Sequence, residues 1–164
     1  MSKYALTNAN TGQVEEEFES INPDRIPEII ENADDAFQQW HKTSMAERSE
    51  VLNKFADIVD QNVDELADII GREMGKPLAQ GKAEAKKVAK TARWYAEKAP
   101  EFLADTELPA EGAEKTYVKH DPLGVLFGVM PWNFPYNQIA RFTLPNLMVG
   151  NAILMKQAAI CPVS

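Results

Sequence analysis

Two residues in the last third of the chain, Asn133 and Lys156, have the type and the setting to do chemistry. Asn133 lies in Met130-Pro131-Trp132-Asn133-Phe134-Pro135, which joins a short apolar run to a helix-like stretch. Its two prolines lock the turn and remove two backbone donors. A rigid side-chain amide can donate hydrogen bonds to an oxygen that gains negative charge during a reaction, and such a donor contributes about 3 kcal/mol in comparable sites. On the residues alone, Asn133 could equally cap the turn before the helix. Lys156 closes the apolar run Ala152-Ile153-Leu154-Met155. An ammonium there can reach ligand hydroxyls or phosphates, or it can simply snorkel from a strand end into water. Arg141, on the stretch after Asn133, is a third candidate, suited to a substrate carboxylate.

Three elements must position these groups. Val125 to Met130, after Gly124, reads as a buried strand; Asn137 to Met148 reads as a helix that ends at Gly150; Ile153 to Lys156 reads as a second buried strand. Strand, turn, helix and strand in this order is the grammar of a right-handed βαβ unit in a parallel sheet. Ligands of open α/β sheets gather at the carboxyl ends of the strands, which is where Asn133 and Lys156 fall.

Four helices are expected ahead of this unit. The first begins near Pro27 and carries Ile26, Ile29, Ile30, Ala33, Phe37 and Trp40 at three- and four-residue steps. The second opens with a capping box, Ser44 with Glu47, and presents Val51, Leu52, Phe55, Ile58 and Val59. The third opens with Asn62 and Glu65 in the same relation and stops at Gly75, with Pro77 beyond. The fourth runs from about Leu78 to Ala99, with Pro100 as its stop. Its Ala85, Ala89, Ala92 and Ala96 let a neighbouring helix approach closely, while Glu84, Lys86 and Lys87 read as a solvated face. A weak alternation over residues 4–22, around Asn10-Thr11-Gly12, suggests a hairpin. Residues 106–115 read as a loop and Thr116 to His120 as a strand.

The chain has 164 residues and a formal charge of −8. From Lys119 onward the acid is Asp121 alone, against Lys119, Arg141 and Lys156, so the acidic excess lies wholly in the earlier residues. This charge argues against nucleic acid as a partner. The first residues lack a signal-peptide core, and no run is long and apolar enough for a membrane span, so a cytoplasmic protein is expected. A single cysteine, Cys161, excludes an internal disulfide framework. His41 and His120 have no metal-ligand partner at useful spacing, and no metal is expected.

The stretch from Pro122 to Lys156, PLGVLFGVMPWNFPYNQIARFTLPNLMVGNAILMK, resembles the aldehyde dehydrogenase superfamily, as does the earlier EMGKPLAQGKAEAKKVAKTARWYAEKAP. Both are most similar to its bacterial succinate-semialdehyde dehydrogenase branch. The likeness runs from Asn8 to Pro162, and its most specific element is MPWNFP with a lysine 23 positions after the asparagine. It implies an α/β fold in which N-terminal helices pack on the start of a Rossmann-like parallel sheet. Residues 1–115 would be the helical part of a cofactor-binding domain, 116–124 an oligomerisation-arm strand, and 125–164 the first, truncated βαβ unit.

The resemblance also implies roles. Asn133 would hold the substrate oxyanion after a cysteine thiolate attacks the aldehyde. Lys156 would bond the adenosine ribose of NAD or NADP, and backbone at Val129, Met130, Pro131 and Trp132 would line the cofactor groove. Arg141 would meet the carboxylate of a substrate such as succinate semialdehyde. Ala159 stands where NAD-preferring relatives often carry a ribose-binding glutamate, which leaves NADP open. The family's nucleophilic cysteine, its glutamate and its glycine-rich turn are expected downstream of these residues. Cys161 is therefore expected to be a packing residue. The parent would be an enzyme and a homo-oligomer, and the 164-residue chain alone would be inactive. Two other readings are a non-catalytic truncated product and a helical assembly module.

Overall fold

A computed structural model describes residues 4–164. Strands β1 (Tyr4–Thr7) and β2 (Val14–Phe18) form an antiparallel hairpin with an irregularity between Leu6 and Thr7. A 3-10 turn, Pro23–Arg25, leads into α1 (Ile26–Trp40), followed by α2 (Met45–Gln61), α3 (Val63–Met74) and α4 (Leu78–Phe102). Short strands β3 (Thr106–Glu107) and β4 (Tyr117–Val118) pair antiparallel. Strand β5 (Val125–Val129), helix α5 (Pro135–Val149) and strand β6 (Ala152–Lys156) complete the chain, with β5 and β6 parallel. The α/β class and the strand–helix–strand grammar are both present.

The core forms where α2, α3 and α4 meet α5. Leu52 and Met148 are fully buried there, and Ile70 is fully buried on α3; truncating such a side chain to alanine typically costs about 2–5 kcal/mol. The alanine stripe of α4 is buried as its spacing predicts. The stripe works together with Gly81, where an added Cβ would lie 3.0 Å from the Cα of Ala67 on α3. Small side chains thus set the α3–α4 separation.

Some helix ends follow the sequence reading and others depart from it. Ser44 and Glu47 form both halves of their capping box. Asn62 does not cap α3; its side-chain amide donates to the Ile58 carbonyl at 2.7 Å and so closes α2. Asn62, the single residue between these helices, has φ −111° and ψ 18°, and its backbone N–H also donates to the Ile58 and Val59 carbonyls. Helix α4 runs past Pro100 to Phe102. Proline cannot donate to the carbonyl four residues earlier. That carbonyl, on Ala96, instead accepts the Ser49 hydroxyl at 2.8 Å, which replaces the missing donor.

Two expected burials fail. The α1 residues Ile26 and Ile30 are exposed, as are Val51, Phe55 and Ile58 of α2. In β5, Phe127 is 66% and Val129 61% exposed. Successive strand residues alternate faces, so these two share one side, which is exposed at both positions. On the other side α5 lies close: a Cβ at Gly128 would come within 2.6 Å of the Phe142 ring. The predicted strand at 116–120 is shorter than expected, and part of the 106–115 loop pairs with it as β3. Leu108 after β3 still donates to the Thr116 carbonyl at 3.0 Å, and Pro109 beyond it, which has no N–H, limits that ladder.

Candidate functional site at the carboxyl edge of the sheet

Strands β5 and β6 end level with each other. Val129 pairs with Lys156, and the Met130 amide donates to the Lys156 carbonyl at 2.9 Å, one rung beyond the strand. The Met130–Pro135 turn therefore leaves β5 directly beside Lys156. Val129, Pro131, Trp132, Asn133 and Phe134 are exposed along this edge, and Met130 is half-buried. Lys156 is exposed too; its Nζ donates to the Gln157 carbonyl at 2.9 Å and lies 5.5 Å from the centroid of the Tyr4 ring. No carboxylate pairs with it among the described residues. Arg141 is exposed on α5.

The capping alternative for Asn133 fails on geometry. The residue at the cap position of α5 is Phe134, with φ −145° and ψ 68°, and no side chain of the turn bonds the helix amides. The free amide at the third helical position, on Asn137, donates instead to Glu84 Oε1 at 3.0 Å. A carboxylate at that place also opposes the positive end of the helix dipole. Glu84 comes from α4, so a neighbouring helix performs the capping, and the Asn133 side chain stays uncommitted.

Glu84 is buried, contrary to the solvated face expected for it, whereas Lys86 and Lys87 are exposed. Its partner is Lys76, also buried, and the two form an ion pair. Lys76 Nζ further donates to the Asn133 carbonyl at 3.2 Å and sits 3.8 Å from the centroid of the Phe134 ring. A buried charge needs both a counter-charge and hydrogen bonds, and this pair has them. Both residues escaped the sequence reading. The signal was present for Glu84: it stands three residues after Gly81 and four before Val88, in phase with the buried stripe.

Cys161 is buried, and its Sγ lies 3.8 Å from the Trp132 carbonyl. Burial first, and the nearby Glu73 carboxylate second, push the thiol up to about 11. It is a packing group at neutral pH, since the thiolate is the nucleophile.

A half-sheet with a stiff turn and a lysine at its carboxyl edge defines an open α/β protein with a candidate ligand edge. The chain belongs to the aldehyde dehydrogenase family, whose model matches residues 2–164. A succinate-semialdehyde dehydrogenase (NADP(+)) of Deinococcus radiodurans is 38% identical over 161 residues, covering 98% of this chain and 34% of that protein. A probable succinate-semialdehyde dehydrogenase (NADP(+)) of Synechocystis is 40% identical, covering 96% and 35%. The crystal structure of succinic semialdehyde dehydrogenase from Streptococcus pyogenes in complex with NADP+ superposes with a TM-score of 0.92 at 34% identity, covering 97% of this chain and 35% of that one. The chain thus spans about a third of the length of these relatives. No helix among the described residues is long and apolar enough to cross a membrane.

Proposed function

We propose that this chain is the N-terminal part of an NADP-dependent dehydrogenase that oxidises succinate semialdehyde to the acid. The carrying observation is the uncapped Asn133 side chain at the end of β5, level with Lys156 at the end of β6. An amide held by a stiff turn stabilises the oxygen of a tetrahedral adduct without reorganising as charge develops. In this reading Asn133 is the catalytic residue of the chain. The nucleophilic cysteine and the water-activating glutamate lie in other parts of the parent, so these residues alone do not turn over substrate.

The exposed edge suits a nucleotide. Lys156 would hold the adenosine ribose, and the backbone of Val129, Met130, Pro131 and Trp132 would line the groove. The bound nicotinamide supplies a hydride acceptor. Among the described residues the Lys156 ammonium has no competing carboxylate, and Ala159 brings no negative charge three residues on. Both features favour a 2′-phosphate, in agreement with the NADP(+) names of the relatives. Arg141 would bind the substrate's distal carboxylate. Residues 1–115 would serve the cofactor domain, 116–124 an arm in a homo-oligomer, and 125–164 the first βαβ unit, in a cytoplasmic enzyme.

The test is steady-state oxidation of succinate semialdehyde by the full-length protein with each nucleotide. Higher kcat/KM with NADP is expected, with Ala159→Glu moving the preference toward NAD. Preference for NAD, unmoved by that substitution, would refute the cofactor assignment.

A further inference from the structure

We propose that Lys76 and Glu84 are positioning residues that keep the Asn133 amide free for its task. The inference rests on the oxyanion role proposed for Asn133 and adds two residues outside the exposed edge.

A turn that must present an asparagine in front of a helix faces a conflict. Asn133 stands one residue before the cap position, beside helix amides that lack intrahelical partners, and a side-chain amide that bonded them would not be available to a ligand. The structure removes the conflict from below. Glu84 Oε1 occupies the Asn137 amide, the third helical position, where a cap side chain would otherwise bind. Lys76 holds the same turn at a second point, through the Asn133 carbonyl at 3.2 Å and the face of the Phe134 ring at 3.8 Å. The two side chains are paired with each other and screened from water, so they act as one clamp. They also come from separate elements. Glu84 sits on the buried face of α4, and Lys76 follows the left-handed Gly75 that ends α3. The three-way junction of α3, α4 and α5 thereby fixes the backbone that carries Asn133. Neither side chain is among the exposed residues of the sheet edge, so neither is placed to touch substrate.

The decisive experiment is a double-mutant cycle in the full-length enzyme. The clamp is neutralised as a unit, Lys76→Met with Glu84→Gln, which leaves no unpaired buried charge and retains a carbonyl acceptor near Asn137. On the wild-type background kcat should fall about tenfold with KM for the aldehyde within about twofold. On the Asn133→Ala background the same change should alter kcat by less than about twofold, because the group being positioned is gone. Equal losses on both backgrounds, or no loss on the first, would overturn the proposal. The underlying reading fails separately, through an unchanged kcat for Asn133→Ala itself. A second measurement does not depend on turnover. Hydrogen exchange at Asn137 should accelerate in Glu84→Leu more than in the middle of α5, and equal protection in both proteins would also overturn the clamp.

Discussion

At the residue scale, Glu84 takes the capping task at α5, which leaves the Asn133 side chain to the donor role proposed for it. The cap comes from α4, so the carboxylate at residue 84 is explained by the free amide it accepts from. Cys161 illustrates the opposite case, a reactive type made inert by its surroundings. Its thiol is pushed up to about 11, chiefly by burial, so the protonated form dominates at neutral pH. Native protein at pH 7.5 should therefore resist iodoacetamide and become labelled rapidly once denatured. Fast labelling of the folded chain would contradict the packing role. The prolines around Asn133 made its turn legible in the sequence. Lys76 and Glu84 were less so, because a charge in phase with a buried stripe is recognised by its counter-charge, and that counter-charge comes from another element.

At the element scale, the most connected joint is Arg48. It is buried, donating to the carbonyls of Met148 at 3.0 Å and His41 at 2.9 Å and to the Thr43 hydroxyl at 3.1 Å. The carbonyls at the ends of α1 and α5 are thus satisfied by one guanidinium from α2. Gly150 makes room: its φ is 109°, and a Cβ there would lie 2.9 Å from the guanidinium nitrogens. Arg48→Met leaves several buried acceptors without a donor and should cost roughly 2–4 kcal/mol in urea unfolding. A loss no larger than that of Arg93→Met, which removes two solvent-exposed ion pairs, would refute this role.

The Ser44 cap gives a prediction in pH. The Glu47 carboxyl accepts the Ser44 amide and hydroxyl, which hold it below its ordinary value of 4.5. The folded state therefore favours the carboxylate. Its contribution is complete above about pH 4.5 and is lost as pH falls through the lowered folded value. Glu47→Gln should lower Tm at pH 7, and its gap to wild type should shrink in acid. A gap that widens in acid would contradict the box. This box was legible because capping is local, within four residues. The step at Asn62 was not, because the same asparagine serves equally as the start of one helix or the end of another. The choice depends on how α2 and α3 pack.

At the scale of the whole molecule, the helical core is closed and the sheet is open. Phe127 and Val129 of β5, Leu123 before it and Ile26 and Ile30 of α1 are apolar side chains left exposed. An open parallel edge with such a face promotes association. The 164-residue chain alone should self-associate in sedimentation velocity. A monomer with one cooperative melting transition would count against this account. The α/β class and the βαβ order were readable from apolar runs and their punctuation. Which strand faces lie open was not, because alternation is masked in a short, wholly apolar run. The central claim remains that the carboxyl edge of this sheet carries an oxyanion donor. The most direct test is kcat for succinate semialdehyde with Asn133→Ala in the full-length protein. The account predicts a loss on the order of a hundredfold with the fold intact. An unchanged kcat would contradict it.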